Sequence, residues 1–149
     1  MNDTLNALAA SLRLDAPEHE TLRLRFGLDC ARRVEHLLEN REVQACLDGL
    51  EHYLAEEIDR TALDALARRA AELARAHPGS PSLDGCGHAA VSASHAVAMA
   101  LAGRALPAAD YAAYAAVYGA GGYGAAADPA SFLPECAWQV RRLQTLAAQ

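Results

Sequence analysis

Apolar residues recur every three or four positions through most of the chain, which is the spacing of one face of an α-helix. Between residues 42 and 57 the acidic residues fall outside the apolar stripe, which consists of Val43, Cys46, Leu47, Leu50 and Leu54. From Thr61 the pattern repeats as far as the sequence HPGSP at residues 77–81, where Pro78 is incompatible with a continuing helix. These two segments therefore predict amphipathic helices.

Five further segments favour helix by the same criterion. A first helix over residues 3–13 has Asn2 or Asp3 as its cap, and a second extends from the sequence APEHE to about Glu39. The fifth helix spans about residues 84–103. The sixth begins just after Leu106, and the seventh begins near Ser131. The chain is thus predicted to be all-α, a single domain over residues 1–149 built as a bundle or array of about six to seven helices, in which residues 1–16 would add an N-terminal helix.

The glycine-rich stretch at residues 119–129 follows the sixth predicted helix. It contains neither a GxGxxG sequence after a strand nor a Walker-type GK[ST] sequence. We therefore expect a flexible link here rather than a phosphate-binding loop.

The fifth helix is unusual because its side chains are almost all small. Alanine and serine dominate GCGHAAVSASHAVAMA at residues 85–100, so neighbouring helices could approach this one from several sides. His88 and His95 share one face with Ser92 and Met99, but two helical turns separate the two imidazoles by about 10 Å, too far for one zinc ion. We expect a central helix and no metal; a metal or small-ligand site near His95 is the alternative.

Three tyrosines, Tyr111, Tyr114 and Tyr118, fall on one face of the sixth helix. Such a row most often marks the edge of a core. If it is exposed, it could instead form a protein interface, as in a non-catalytic structural or interaction subunit.

Charge is distributed unevenly along the chain. The net charge is −6 and every basic residue other than histidine is an arginine. The segment from Glu35 to Asp64 contains nine acidic residues and only two arginines, Arg41 and Arg60. This excess of negative charge argues against nucleic acid as a partner and favours a basic protein. The candidate partner-binding residues on the acidic side of the third helix are Glu42, Asp48, Glu51, Glu56 and Glu57.

The remaining chemistry is sparse. The four cysteines are scattered with no CxxC pair, and the N-terminal sequence lacks the pattern of a secretory signal, so we expect a cytoplasmic protein with structural thiols. Cys30 lies on the buried stripe with Phe26 and Val34, and Asp29 is expected to pair with Arg25 or Arg33. We expect no catalytic residue, no cofactor and no membrane-spanning segment.

Four segments together resemble a known family. They are LDCARRVEHLLE at residues 28–39, SASHAVAMALAG at 92–103, YAAYAAVY at 111–118 and ECAWQVRRL at 135–143. In this order and spacing they resemble the all-α immunity proteins of bacterial polymorphic toxin systems, the group called immunity family five and its relatives. The matching positions are Asp29, Cys30, Arg33, His95, Tyr111, Trp138 and Gln139. His88 precedes by one residue the place of a further family histidine, where this chain has Ala89.

The resemblance implies a protein that acts by binding. An immunity protein needs a preformed surface complementary to a toxin and no catalytic group. Toxins that hold phosphate are commonly basic, so the resemblance and the acidic segment lead to the same expectation of a basic cognate toxin as partner.

Overall fold

The computed structural model describes residues 2–79 and 82–149, and over these ranges it contains seven α-helices and no strand. Short 3₁₀ turns at Pro17–His19, Glu35–Leu37 and Pro129–Phe132 connect some of them. The helices are α1 (Asp3–Leu12), α2 (Glu20–Arg32), α3 (Arg41–Leu54), α4 (Arg60–Ala76), α5 (His88–Leu101), α6 (Ala105–Ala126) and α7 (Leu133–Ala147). The all-α prediction is therefore confirmed. Helix α4 ends before Pro78 as expected, while Ser80 and Pro81 of the HPGSP sequence lie outside the described residues.

Helix α5 lies at the centre of the molecule. Helices α2, α3, α4 and α6 all pack against it, and nine of its fourteen residues are buried. Gly27 on α2 permits a close approach to α5, since an added Cβ would lie 3.2 Å from Cα of Ala100. The small side chains of α5 thus serve the all-round packing that the sequence predicted.

The core consists of two hydrophobic clusters that meet along α2 and α5. One joins these two helices to α3 and α4 and includes Leu28, Leu47 and Leu63. The other joins them to α1, α6 and α7 and includes Phe26 and Leu143. Helix α6 belongs mainly to the second cluster, but its Ala108 lies in the first.

Helix α1 is tied to the end of the chain. Asn2 caps it by accepting a hydrogen bond from the backbone N–H of Leu5. The same side chain donates through Nδ2 to the carbonyl of Cys136 on α7 at 3.1 Å. Leu5 and Ala9 are buried in the second cluster.

The prediction of one helix to about Glu39 is wrong. Helix α2 ends at Arg32, and Val34 has φ −121° and ψ 10°, outside the helical region. The turn that follows brings Leu37 against α6, where its Cδ2 would lie 3.2 Å from a Cβ added at Gly119. Packing between distant segments therefore ends this helix earlier than its apolar spacing implies.

The prediction of a flexible link over residues 119–129 is also wrong, because α6 continues to Ala126. Gly122 alone interrupts it, with φ 62° and ψ −147°, a conformation open to glycine. The next residue, Tyr123, donates its backbone N–H to the carbonyl of Asp84 at 2.6 Å. The bend thus fixes α6 against the segment that precedes α5. None of the described helices is long and apolar enough to cross a membrane.

Candidate functional site

The residues that carry the sequence motifs join α2 to α7. Arg142 donates from Nε to Oδ2 of Asp29 at 2.7 Å. Arg33 donates to both carboxylate oxygens of Glu135, at 3.1 and 2.8 Å. Its guanidinium carbon also lies 4.2 Å from the centre of the Trp138 ring, in a cation–π contact. The expected pairing of Asp29 with Arg25 or Arg33 is therefore wrong, since its partner lies on the last helix.

Two other motif residues are fully buried. Gln139 donates to the carbonyl of Ala109 on α6 at 2.9 Å and accepts from Asn2 at 3.3 Å. Cys30 has no exposed surface, and burial raises the pKa of its thiol well above the usual range. A buried thiol held in its neutral form packs as a small apolar group. These positions hold helices together rather than present chemistry to a ligand.

Where α2 and α7 meet, the protein surface has a shallow depression of about 300 Å³. It is lined by Asp29, Arg32, Arg33, Trp138 and Arg142. The one carboxylate in this lining, that of Asp29, is already paired with Arg142. Glu135, Arg32 and Arg142 take part in the contacts here, although the sequence analysis did not single them out. Glu135 and Arg142 have their partners 102 and 113 residues away, so no local spacing could have identified them.

The two histidines of α5 both lie against tyrosines of α6. The ring of His95 stacks on Tyr111 at 5.0 Å between centroids, and burial lowers the pKa of its imidazole. Seven residues earlier on α5, His88 lies 5.2 Å from Tyr118, seven residues later on α6. The equal steps in opposite directions show that α5 and α6 are antiparallel. Sequence analysis missed Tyr123, whose hydroxyl forms a 2.8 Å hydrogen bond with Nε2 of His88.

The five acidic candidates lie along α3 and just beyond its end. Four of the five stripe residues are buried and Leu54 is partly buried. Glu42 accepts two hydrogen bonds from Arg69 of α4, which lower the pKa of its carboxyl. Asp48 and Glu51 share Arg32, at 2.9 and 3.4 Å. Two arginines that the count over residues 35–64 did not include thus offset part of the local charge.

The C-terminal part of the acidic face has no arginine partner within the described residues. Glu57 lies 3.0 Å from Nδ1 of His52, and its side chain is 58% exposed. Glu56 is exposed, has φ 62°, and forms no ion pair with any residue that the structure describes. The exposed and least compensated acids therefore lie at the turn between α3 and α4.

The alternative of a ligand or metal near His95 has little geometric support. A cleft of about 670 Å³ lies between the end of α1 and the start of α6, and none of the candidate residues lines it. Over residues 2–79 and 82–149 no group of three or more His, Cys, Asp or Glu side chains is placed to hold a metal ion.

Comparison with known proteins adds one finding. The family model described as "Imm-5 like putative immunity protein" matches residues 13–146 of this chain. No curated protein and no solved structure matches this chain. Because the match covers nearly the whole chain, the protein belongs to the Imm-5 like immunity protein family, as the motif segments predicted.

Proposed function

We propose that this protein is the immunity partner of a toxin from a bacterial polymorphic toxin system, and that it neutralises the toxin in the cytoplasm by binding it. The family supports an immunity role in general. A role of this kind is non-catalytic, because a bound inhibitor needs only complementarity of shape and charge.

The toxin-binding surface in this proposal is the acidic face, defined as Glu42, Asp48, Glu51, Glu56 and Glu57. The observation that carries it is the exposure of these carboxylates around α3 and in the turn that follows it, away from the buried stripe. Four of their side chains are about half exposed, from 48% to 60%. Packing of the stripe holds the backbone of α3 rigidly, so the carboxylates are presented in a preformed arrangement.

The internal ion pairs of this face are compatible with binding. Exposed ion pairs contribute little to stability, about 0 to 1 kcal/mol each, so a basic partner can share or exchange them at small cost. Arg32 contacts three carboxylates, those of Glu35, Asp48 and Glu51, and so leaves an excess of negative charge around it. A toxin that binds phosphate presents cations at its active site, and covering those cations would block its substrate.

The proposal is tested by co-expression with a candidate toxin domain taken from a neighbouring gene. The wild-type chain should protect the cells and co-purify with the toxin in a defined ratio. Combined replacement of Glu51, Glu56 and Glu57 by arginine should abolish both effects while far-UV circular dichroism shows the helices intact. Failure of the wild type to protect would contradict the immunity role. Full protection by the folded triple variant would contradict the acidic face alone.

A further inference from the structure

The cleft of about 670 Å³ between the end of α1 and the start of α6 shares no residue with the acidic face or with the motif positions. Pockets that hold small molecules have volumes of roughly 300 to 1,000 Å³. Alanine, leucine and proline make up half of the residues that line this cleft, and most of the others are charged or polar. Such a lining suits a small ligand with an apolar part and a polar part.

Arginines dominate the charged groups of the cleft. Arg13, Arg23 and Arg104 line it, and its lining contains one acid, Asp15. The lining therefore has an excess of two positive charges in a chain whose net charge is −6. None of these four side chains forms an ion pair with any residue that the structure describes. The positive charge of the cleft is thus left largely uncompensated.

The guanidinium of Arg23 is held in place by backbone groups. Its Nη1 donates to the carbonyls of Leu14 and Ala16, both at 2.7 Å. These two hydrogen bonds fix the group without neutralising its charge, because a carbonyl carries no net charge. Nε and Nη2 of Arg23 have no hydrogen-bond partner among the described residues. A guanidinium presents its donors as a planar fork that matches the oxygens of a carboxylate or a phosphate.

The backbone around the cleft favours an anion as well. The carbonyls of Ala9 and Ala10, at the end of α1, accept the backbone N–H groups of Leu14 and Arg13 at 3.0 and 3.1 Å. Helix α6 begins at Ala105 in the wall of the cleft, and no described side chain caps its first turn. The N–H groups of that turn therefore add to the positive potential of the three arginines.

We propose that this cleft binds a small organic anion, a carboxylate or phosphate group joined to a short apolar chain. The anionic group accepts hydrogen bonds from the fixed guanidinium of Arg23 and pairs with the exposed side chains of Arg13 and Arg104. The apolar chain lies on the alanines, Leu106 and Pro107. The bound ligand joins α1 to α6. The inference rests on the cleft alone and does not depend on the toxin-binding proposal.

Titration of the full chain with three ligands of the same chain length, followed by nuclear magnetic resonance, tests the site. Hexyl phosphate or hexanoate should shift the amide signals of α1 and of the start of α6, with a dissociation constant of about 1 mM or lower for the better of the two. Tighter binding of one anion identifies the preferred head group. Neutral hexanol should bind at least about tenfold more weakly, because it cannot pair with the arginines.

Two variants assign the binding to the cleft. Arg13 has φ 54°, a conformation that glycine adopts readily, so Arg13→Gly removes the cation and should leave the helices intact in circular dichroism. It should weaken binding of the anion by about fivefold or more, and so should Arg104→Gln. Arg68→Gln is the matched control, since it removes an equal charge at an exposed position on α4 and should bind as the wild type does.

Three results would overturn the proposal. One is the absence of saturable binding of either anion up to about 10 mM. Another is binding of hexanol as tight as that of the anions, which would leave the arginines without a part in recognition. The third is wild-type affinity in both folded variants, Arg13→Gly and Arg104→Gln, because the anion would then bind elsewhere.

Discussion

Arg33, the residue that follows α2, forms an ion pair with two hydrogen bonds, at 3.1 and 2.8 Å, to Glu135 on α7, 102 residues away in sequence. The Glu135 side chain is only 10% exposed, whereas that of Arg33 is 40% exposed and stacks over Trp138. The pair joins the last helix to one of the two helices shared by both core clusters. The pair and the Trp138 contact thus bring the motif segments at residues 28–39 and 135–143 together.

Arg33→Ala should lower the free energy of unfolding by about 2 to 3 kcal/mol, since it leaves the buried Glu135 carboxylate without its cation. Urea denaturation measures the change. The double variant Arg33→Met, Glu135→Leu should recover much of the loss, because neither side chain then carries a buried charge. An Arg33→Ala protein as stable as the wild type would show that this pair does not hold α7 in place.

Asp29→Ala should cost less, about 1 to 2 kcal/mol, because its partner Arg142 is 36% exposed and stays solvated when unpaired. Because the Asp29–Arg142 pair has a structural role, a folded Asp29→Ala protein should still protect cells from the toxin. Thermal unfolding and the protection assay together decide the matter. An unchanged melting temperature with lost protection would assign Asp29 a direct part in function.

These ion pairs illustrate where sequence analysis reaches its limit. The apolar stripes of α3 and α4 and the small residues of α5 predicted their helices, because those patterns repeat within a few residues. Asp29 was assigned a partner one turn away, because a partner on α7 has no local signal. The charges of the acidic face were likewise evident, but Arg69 reaches Glu42 only through the packing of α4 on α3.

The misjudged glycine-rich stretch has a similar origin. Glycine is a poor helix former, and its number over residues 119–124 outweighed the alanines around it in the prediction. The structure shows that one glycine is required by the bend and that the contact of Tyr123 with Asp84 fixes the segment. That contact could not be predicted before the antiparallel packing of α5 and α6 was known.

Gly122→Ala should therefore destabilise the protein by at least about 2 kcal/mol. Its φ is 62°, and an added Cβ would lie 1.9 Å from the carbonyl oxygen of Asp84. Gly124→Ala is the matched control: no atom lies within 4 Å of its added Cβ, and alanine should stabilise this helical position by up to about 1 kcal/mol. Chemical denaturation measures the free energy of unfolding of both variants. Equal changes in the two would contradict the bend at Gly122.

The four thiols should divide into two classes in the native protein. Cys30 and Cys46 are buried, and burial raises the pKa of each. Cys86 and Cys136 are partly exposed, although the hydrogen bond to Asp84 raises the pKa of the Cys86 thiol and burial raises the pKa of the Cys136 thiol. They should therefore react with a thiol reagent at alkaline pH, where part of each thiol is ionised, while the buried pair reacts only in urea. Mass spectrometry of the labelled peptides identifies the sites. Rapid native labelling of Cys30 would contradict the placement of α2.

The central claim, that a basic toxin binds the acidic face, is tested most directly by the rate of association between the purified chain and a candidate toxin domain taken from a neighbouring gene. The double variant Glu56→Arg, Glu57→Arg is compared with Asp3→Arg, Asp15→Arg, which changes net charge equally at exposed positions on and just after α1, a helix of the other core cluster. The first should slow association by about tenfold at low salt, with the difference shrinking as salt screens the charges, while the second should have a much smaller effect. Equal association rates for the two folded variants at every salt concentration would contradict the claim.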